Sequence, residues 1–219
     1  MSAQNPILKL ENLHRSYGYK PVLKGVDLTL HAGEVVCLMG ENGAGKTTLI
    51  DTVLSRLRPP VGTIAYNGKT IESAADRAEL LSRAGVLGHE AGVFADLSAL
   101  ENLSLFYRAY YGHVDEVGDK RITNLLGMAG LAHRQHDLVR TFSRGMRQKL
   151  GICRMMLHSP DMLFLDEPLS ALDTMGVAFF FDVVAEFRQG LCALVVTHDA
   201  APFRRVANRF ERLENGRIS

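Results

Sequence analysis

A parallel α/β core carrying a helical insertion is the fold class that three observations predict. A short, wholly apolar run over residues 35–39 leads straight into a glycine-rich loop and then into apolar residues at helical spacing. Similar apolar runs return at residues 162–165 and 192–197, and before them residues 97–157 read as helices. Short runs with no polar face suit strands buried on both sides of a parallel sheet, which needs helices to cover it.

The elements follow in order. Val26, Leu28 and Leu30 alternate with Asp27 and Thr29, the period-two pattern of a half-buried strand. After the glycine loop, Leu49, Ile50, Val53, Leu54 and Leu57 fall on one helical face, and Pro59-Pro60 stops that helix. Residues 63–66 and the Asn67-Gly68 turn read as a hairpin strand. In the helical stretch, Gly112, Gly127 and Gly130 mark the breaks. Residues 209–218 read as a last strand, an Asn215-Gly216 turn and a stub. No linker separates the pieces. The expectation is one domain over residues 1–219, with a helical subdomain at about 95–158 inserted in the α/β core.

Composition excludes several function classes. Lys and Arg number 25 against 24 Asp and Glu, a net charge of +1, so no bulk basic signal points to nucleic acid. Cys37, Cys153 and Cys192 are odd in number and far apart, which argues against a disulfide scaffold or a Cys-rich zinc site and fits a reducing cytosol. Residues 1–6 lack the apolar core of a signal peptide. No apolar run reaches the roughly 18 residues a membrane span requires. The richest stretch, residues 175–187, is broken by Asp182 and Glu186. Service at a membrane would therefore be peripheral.

Gly40-Glu41-Asn42-Gly43-Ala44-Gly45-Lys46-Thr47, followed by Thr48, satisfies the phosphate-loop spacing, with an apolar strand before it and an amphipathic helix after it. The glycines let backbone N–H groups close around phosphate oxygens, and the helix start adds partial positive charge. Lys46 reaches the β- and γ-phosphates, and Thr47 offers a hydroxyl to Mg²⁺, a cation of hard oxygen ligands. The competing interpretation is a plain glycine turn.

Residues 162–165 end in Asp166-Glu167, two carboxylates at a strand end, where ligands bind in open α/β sheets. Asp166 is placed to hold Mg²⁺, largely through water, and Glu167 to polarise the water attacking the γ-phosphate. Alone, such a pair is more often a solvated turn. Val195-Val196-Thr197-His198 is another apolar strand ending in a polar group, where His198 can sense the γ-phosphate and orient Glu167.

The order of these pieces resembles the ATP-binding cassette (ABC) ATPases over essentially the whole chain. Between the phosphate loop and Asp166 lies Phe142-Ser143-Arg144-Gly145-Met146-Arg147-Gln148, before a helix expected over residues 149–158 with Leu150, Ile152, Cys153 and Met156 inward. That string looks like the family's signature motif. Tyr17 matches the aromatic position that stacks on adenine, with Tyr19 as a close rival. Residues 40–48 match Walker A, 163–167 Walker B, Ser170-Ala171-Leu172-Asp173 the D-loop and His198 the switch histidine. The resemblance implies the P-loop NTPase fold of ABC ATPases, with an N-terminal antiparallel β subdomain and a helical subdomain. It further implies ATP and Mg²⁺ as cofactors and a head-to-tail dimer with a second nucleotide-binding subunit. In that dimer Ser143 and Gly145 meet the nucleotide of the other subunit. Integral membrane transporter subunits are the implied partners, at the cytoplasmic side of the inner membrane.

Two departures stand out. The Q-loop position, normally Gln, is His89 by spacing, a softer Mg²⁺ ligand than an amide oxygen, with Glu90 beside it as a hard-oxygen alternative. Arg144 replaces the usual Gly and either brings positive charge toward the γ-phosphate or points to solvent. Leu87-Gly88-His89 and residues 97–103, together with the short length, resemble the ATP-binding subunit of haem exporters in bacterial cytochrome c maturation. The expected function is that of an exporter ATPase for haem. The rivals are an exporter ATPase for a lipid or drug-like substrate, a soluble cassette ATPase that remodels protein assemblies, and a regulatory cassette with weak turnover. Phe94, Phe106, Tyr107, Tyr110 and Tyr111 form either a contact patch for the membrane subunit or, through the i, i+4 pair Phe106 and Tyr110, a local core.

Overall fold

The computed structural model describes residues 6–55, 61–186 and 190–219. Of these, residues 6–84, 161–167 and 190–219 form one compact unit, and residues 85–160 with 168–186 form another.

The first unit holds an antiparallel sheet and the parallel strands. In the antiparallel sheet, β1 (Leu8–Tyr17) lies between β2 (Lys20–Leu30) and β4 (Val61–Tyr66), and β5 (Lys69–Thr70) pairs with β4. Leu8 faces Leu30 and Leu10 faces Leu28 across the β1–β2 register. Leu8, Leu10, Leu13, Leu23, Val26, Leu28 and Leu30 are all buried. The sequence pattern did not show β1, because its alternation breaks where the register shifts near Asn12, a residue at φ +49°. A bulge moves the buried set out of phase and hides a period of two. At the β4–β5 turn, Asn67 and Gly68 both have positive φ, as a type I′ hairpin turn requires.

Among the parallel strands, β3 (Val35–Met39) runs between β8 (Cys192–Val196) and β9 (Arg209–Glu214), and β7 (Met162–Asp166) runs beside β8. The stub β10 (Arg217–Ile218) folds back on β9. Every residue of β7 and β8 is buried, as the unbroken apolar runs predict. The glycine loop leads into α1 (Lys46–Leu54), which buries Leu49, Ile50 and Val53. Leu57 and the Pro59-Pro60 stop lie outside the described residues. A helix the sequence pattern did not suggest, α2 (Ala74–Ser82), buries only Arg77 and Leu80 and is defined by a Ser73–Asp76 capping box.

The strand β6 (Ala84–Leu87) leads into the second unit, built on α3 (Ala99–Tyr111), α4 (Glu116–Met128), α5 (Arg144–Met156) and α6 (Thr174–Glu186). Ser98 and Glu101 form a capping box on α3, Asp115 caps α4 and Ser143 caps α5. Because Ser143 supplies that cap, α5 begins at Arg144, five residues earlier than the apolar spacing from Lys149 suggests. Asn102 is fully buried; its amide donates to the carbonyls of Phe94, Leu97 and Ser98 and accepts from the Phe94 N–H, tying the preceding loop to α3. The core is built on Leu103, Tyr107, Ile122, Leu125, Leu126, Leu150 and Cys153.

The expected Phe106–Tyr110 core pair is corrected here. Tyr107 is the buried aromatic of α3, while Phe94 and Tyr110 are 52% and 43% exposed. Phe94 stacks on Phe106 at 5.8 Å, making a half-exposed aromatic shelf. The register of α3 is set by Asn102 and Leu103, which turn Tyr107 inward and leave Phe106 on the flank.

All three cysteines are buried free thiols. Burial pushes Cys37 up to about 11 and Cys192 up to about 12, and raises Cys153 as well. Among the described residues, no helix is long and apolar enough to cross a membrane.

Candidate functional site

In the first unit the end of β3 delivers the loop of residues 40–48 to the start of α1. Two glycines there are required sterically. A Cβ on Gly40 would sit 2.6 Å from the Leu213 carbonyl oxygen, and Gly45 caps the helix at φ +106°. With no side-chain cap on α1, the N–H groups of its first turn are available to an anion. Lys46 is 7% exposed, and its ammonium donates to the carbonyls of Gly40 (2.7 Å) and Glu41 (3.1 Å), so the loop curls around it.

The end of β7 brings Asp166 to this loop. The Thr47 hydroxyl donates to Asp166 Oδ2 at 2.6 Å, and Asp166 is 6% exposed. Burial and the neighbouring Asp166 charge together raise the Asp51 carboxyl above its usual range. The cluster is thus rich in negative charge and hard oxygen, a donor set that fits Mg²⁺.

One residue further, Glu167 takes φ +49°, a conformation rare outside glycine, with its N–H bonded to the Val196 carbonyl. That turn aims its carboxylate at the end of β8. Glu167 Oε1 accepts from the His198 backbone N–H and from His198 Nδ1, both at 2.8 Å. Since the carboxylate only accepts, Nδ1 carries the proton. Glu167 Oε2 accepts from the Thr197 hydroxyl at 3.0 Å. Thr197 had no role in the sequence reading, although it adjoins His198 in the string that identified the strand end.

An open cleft of about 540 Å³ borders the loop, lined by Lys20, Val22, Asn42, Gly43, Leu213 and Asn215 among others. Glu41 and Ala44 also face it. Neither Tyr17 nor Tyr19 lines it. Tyr17 ends β1 half-exposed, with the Arg15 guanidinium 5.9 Å from its ring centre, whereas Tyr19 is fully exposed.

The second unit carries the other predicted residues. Ser143 is exposed, and its hydroxyl accepts from the Met146 N–H at 3.2 Å. A Cβ on Gly145 would lie 2.9 Å from the Ala171 carbonyl oxygen, so the signature and D-loop strings meet at a glycine. Gln148 is buried and donates to the Pro168 carbonyl at 3.1 Å. His89, Glu90 and Arg144 are exposed and, with Arg147 and Gln148, line a pocket of about 480 Å³. Arg144 therefore faces solvent on the wall it shares with His89.

Comparison with known proteins accords with this geometry. The family model described as ABC transporter matches residues 23–170. YdbJ, an ABC transporter ATP-binding protein of Bacillus subtilis, is 32% identical over 97% of this chain and 68% of its own length. The Nod factor export ATP-binding protein I of Ralstonia nicotianae is 33% identical over 97% of this chain and 65% of its own. The chain thus spans about two thirds of the length of these two relatives. The cytochrome c biogenesis ATP-binding export protein CcmA of Cupriavidus pinatubonensis is 34% identical over 91% of this chain and 87% of its own. Among solved structures, the ATP-binding subunit of an ABC transporter superposes with a TM-score of 0.86 at 30% identity, over 97% of this chain and 88% of that one. With a phosphate loop, two strand-end carboxylates and a histidine gathered in the fold these proteins share, the chain belongs to the ABC transporter family, as an ATP-binding subunit with ATPase activity.

Proposed function

We propose that this subunit drives an exporter by hydrolysing ATP, and that its cargo is haem for cytochrome c biogenesis. The observation that carries the hydrolytic part is the contact of Glu167 with His198 at 2.8 Å, one residue beyond the Thr47–Asp166 bond. In this reading the triphosphate enters the loop of residues 40–48. Lys46 leaves the Gly40 and Glu41 carbonyls for the β- and γ-phosphates. Gly43, Gly45, Thr47 and Thr48 meet the phosphates through backbone N–H groups, and Glu41, Asn42 and Ala44 complete the loop. Thr47 and Asp166 hold Mg²⁺, which offsets phosphate charge when bound. Glu167 takes a proton from the attacking water while the bond from the γ-phosphorus to the bridging oxygen breaks, giving ADP and phosphate. His198 orients Glu167 and reads the γ-phosphate. Tyr17 stacks on adenine.

The two units act here as one ATPase domain. Ser143 and Gly145 close over the nucleotide of a second subunit in a head-to-tail dimer, where the start of α5 contributes its partial positive charge. His89 belongs to the loop that responds to a membrane partner, and the shelf of Phe94 and Phe106 is part of that partner's seat, on the cytoplasmic face of the membrane. Haem is favoured by the Leu87-Gly88-His89 string and by the extent of the match to CcmA. Export of another small molecule is the second reading, favoured by the similar identity to the Nod factor export protein.

Capture of the tagged protein from native membranes in mild detergent separates the two. Recovery of a polytopic membrane protein with haem absorbance supports haem export. Recovery of such a partner without haem, under conditions that retain haem on a known exporter, moves the reading to another cargo. A soluble partner alone overturns the transport reading.

A further inference from the structure

Thr197 directly follows β8 with its side chain buried, 4% exposed, where side-chain hydrogen bonds join the ends of β7 and β8. Its backbone is fixed by the N–H bond to the Leu38 carbonyl of β3. A threonine hydroxyl has one proton and two lone pairs. Here one lone pair takes the Asp199 N–H at 3.1 Å. The proton has two acceptors at nearly equal reach, Glu167 Oε2 at 3.0 Å and the Asp199 carbonyl at 3.1 Å. A carboxylate is the stronger acceptor, so at rest the proton points to Glu167. With His198 covering Oε1 through two donors, both oxygens of Glu167 are then held.

A carboxylate held by three donors is well placed but poorly free to take a proton from water. We propose that Thr197 is a positioning residue whose hydroxyl clamps Glu167 at rest and releases it for hydrolysis by turning its proton to the Asp199 carbonyl. The release leaves no buried donor unpaired, because the second acceptor is already in place; an unpaired buried hydroxyl would otherwise oppose it. The methyl group of Thr197 is not required for this, and a serine supplies the same proton. This inference rests on the reading of Glu167 as the base.

The test compares Thr197→Val and Thr197→Ser in the full chain, by steady-state ATP hydrolysis and by nucleotide binding. T197V is expected to lower kcat about tenfold with KM for ATP unchanged, because Glu167 Oε2 loses the donor that places it and the Asp199 N–H loses its acceptor, while the phosphate loop is untouched. T197S is expected to rescue kcat to within about twofold of the native value, as hydroxyl chemistry demands. In single-turnover hydrolysis, adding T197V to Glu167→Gln is expected to cause no further loss, since the two residues act as one unit. T197V with native kcat overturns the proposal, as does a loss confined to KM, a failure of T197S to rescue, or an equal further loss in the E167Q background. Should E167Q itself retain native turnover, the reading of Glu167 as base fails. If E167Q silences hydrolysis while T197V does not slow it, only the role of Thr197 fails.

Discussion

Glu167 pairs a left-handed backbone with a side chain held from both sides. A non-glycine residue in that conformation costs on the order of 1 kcal/mol or more, so the surrounding contacts must hold it. The bond from its N–H to the Val196 carbonyl and the donors of Thr197 and His198 do so. Glu167→Gln keeps the shape and one acceptor oxygen, turns the other into a donor, and removes the base. It is expected to lower ATP turnover at least about 100-fold while leaving nucleotide binding intact, measured by phosphate release and by equilibrium binding. The spacing of the phosphate loop and the ends of two apolar runs made Lys46, Thr47, Asp166, Glu167 and His198 legible in the sequence. Thr197 was not legible as a partner of Glu167. A threonine closing a β-branched run looks like any strand residue until the neighbouring strand is placed beside it. His89→Gln tests the departure at the loop after β6: a large gain in hydrolysis marks an attenuated site, and no change marks a loop residue without that role.

At the scale of elements, two glycines of α4 make opposite predictions. A Cβ on Gly118 would lie 2.5 Å from the Tyr107 ring, whereas one on Gly127 would meet nothing within 4 Å. Alanine in a helix interior gains up to about 1 kcal/mol over glycine from propensity alone. At Gly118 overpacking of about 1–3 kcal/mol opposes that gain and wins, because the obstacle is a buried ring. Gly118→Ala is therefore expected to lower stability by about 1 kcal/mol and Gly127→Ala to raise it by a few tenths, both read from denaturant midpoints. Gly127 lies within α4 and does not mark the break the sequence suggests, whereas Gly112 caps α3 and Gly130 follows the end of α4. The same contrast explains which elements the sequence reveals. The parallel strands β3, β7 and β8 and the Asn-Gly hairpins showed themselves because each is specified locally, by an apolar run or a turn dipeptide. The strand β1 is masked by its bulge at Asn12, and α2 by a surface position that buries two residues. The register of α3 needed its tertiary partners, which is why Tyr107 replaces Phe106 and Tyr110 as the core aromatic.

Across the whole molecule, the shelf of Phe94 stacked on Phe106 is the half-exposed aromatic pair proposed above as part of the partner's seat. If that shelf seats the membrane partner, Phe94→Ala together with Phe106→Ala should reduce partner recovery about tenfold or more while nucleotide affinity holds, as expected of aromatic anchors. Partner recovery at the native level would place the contact elsewhere. The cysteines offer a consequence of a different kind. Cys37 and Cys192 lie in strands of the first unit and Cys153 in a helix of the second, all buried with thiols raised to disfavour the thiolate. Alkylating reagents attack the thiolate, so these sites stay dark while the fold is closed. Pulse labelling followed by peptide mass spectrometry thus turns the native chain into its own two-channel recorder of opening. Dyes can also be fixed to introduced surface cysteines in a brief pulse without first removing the natural three.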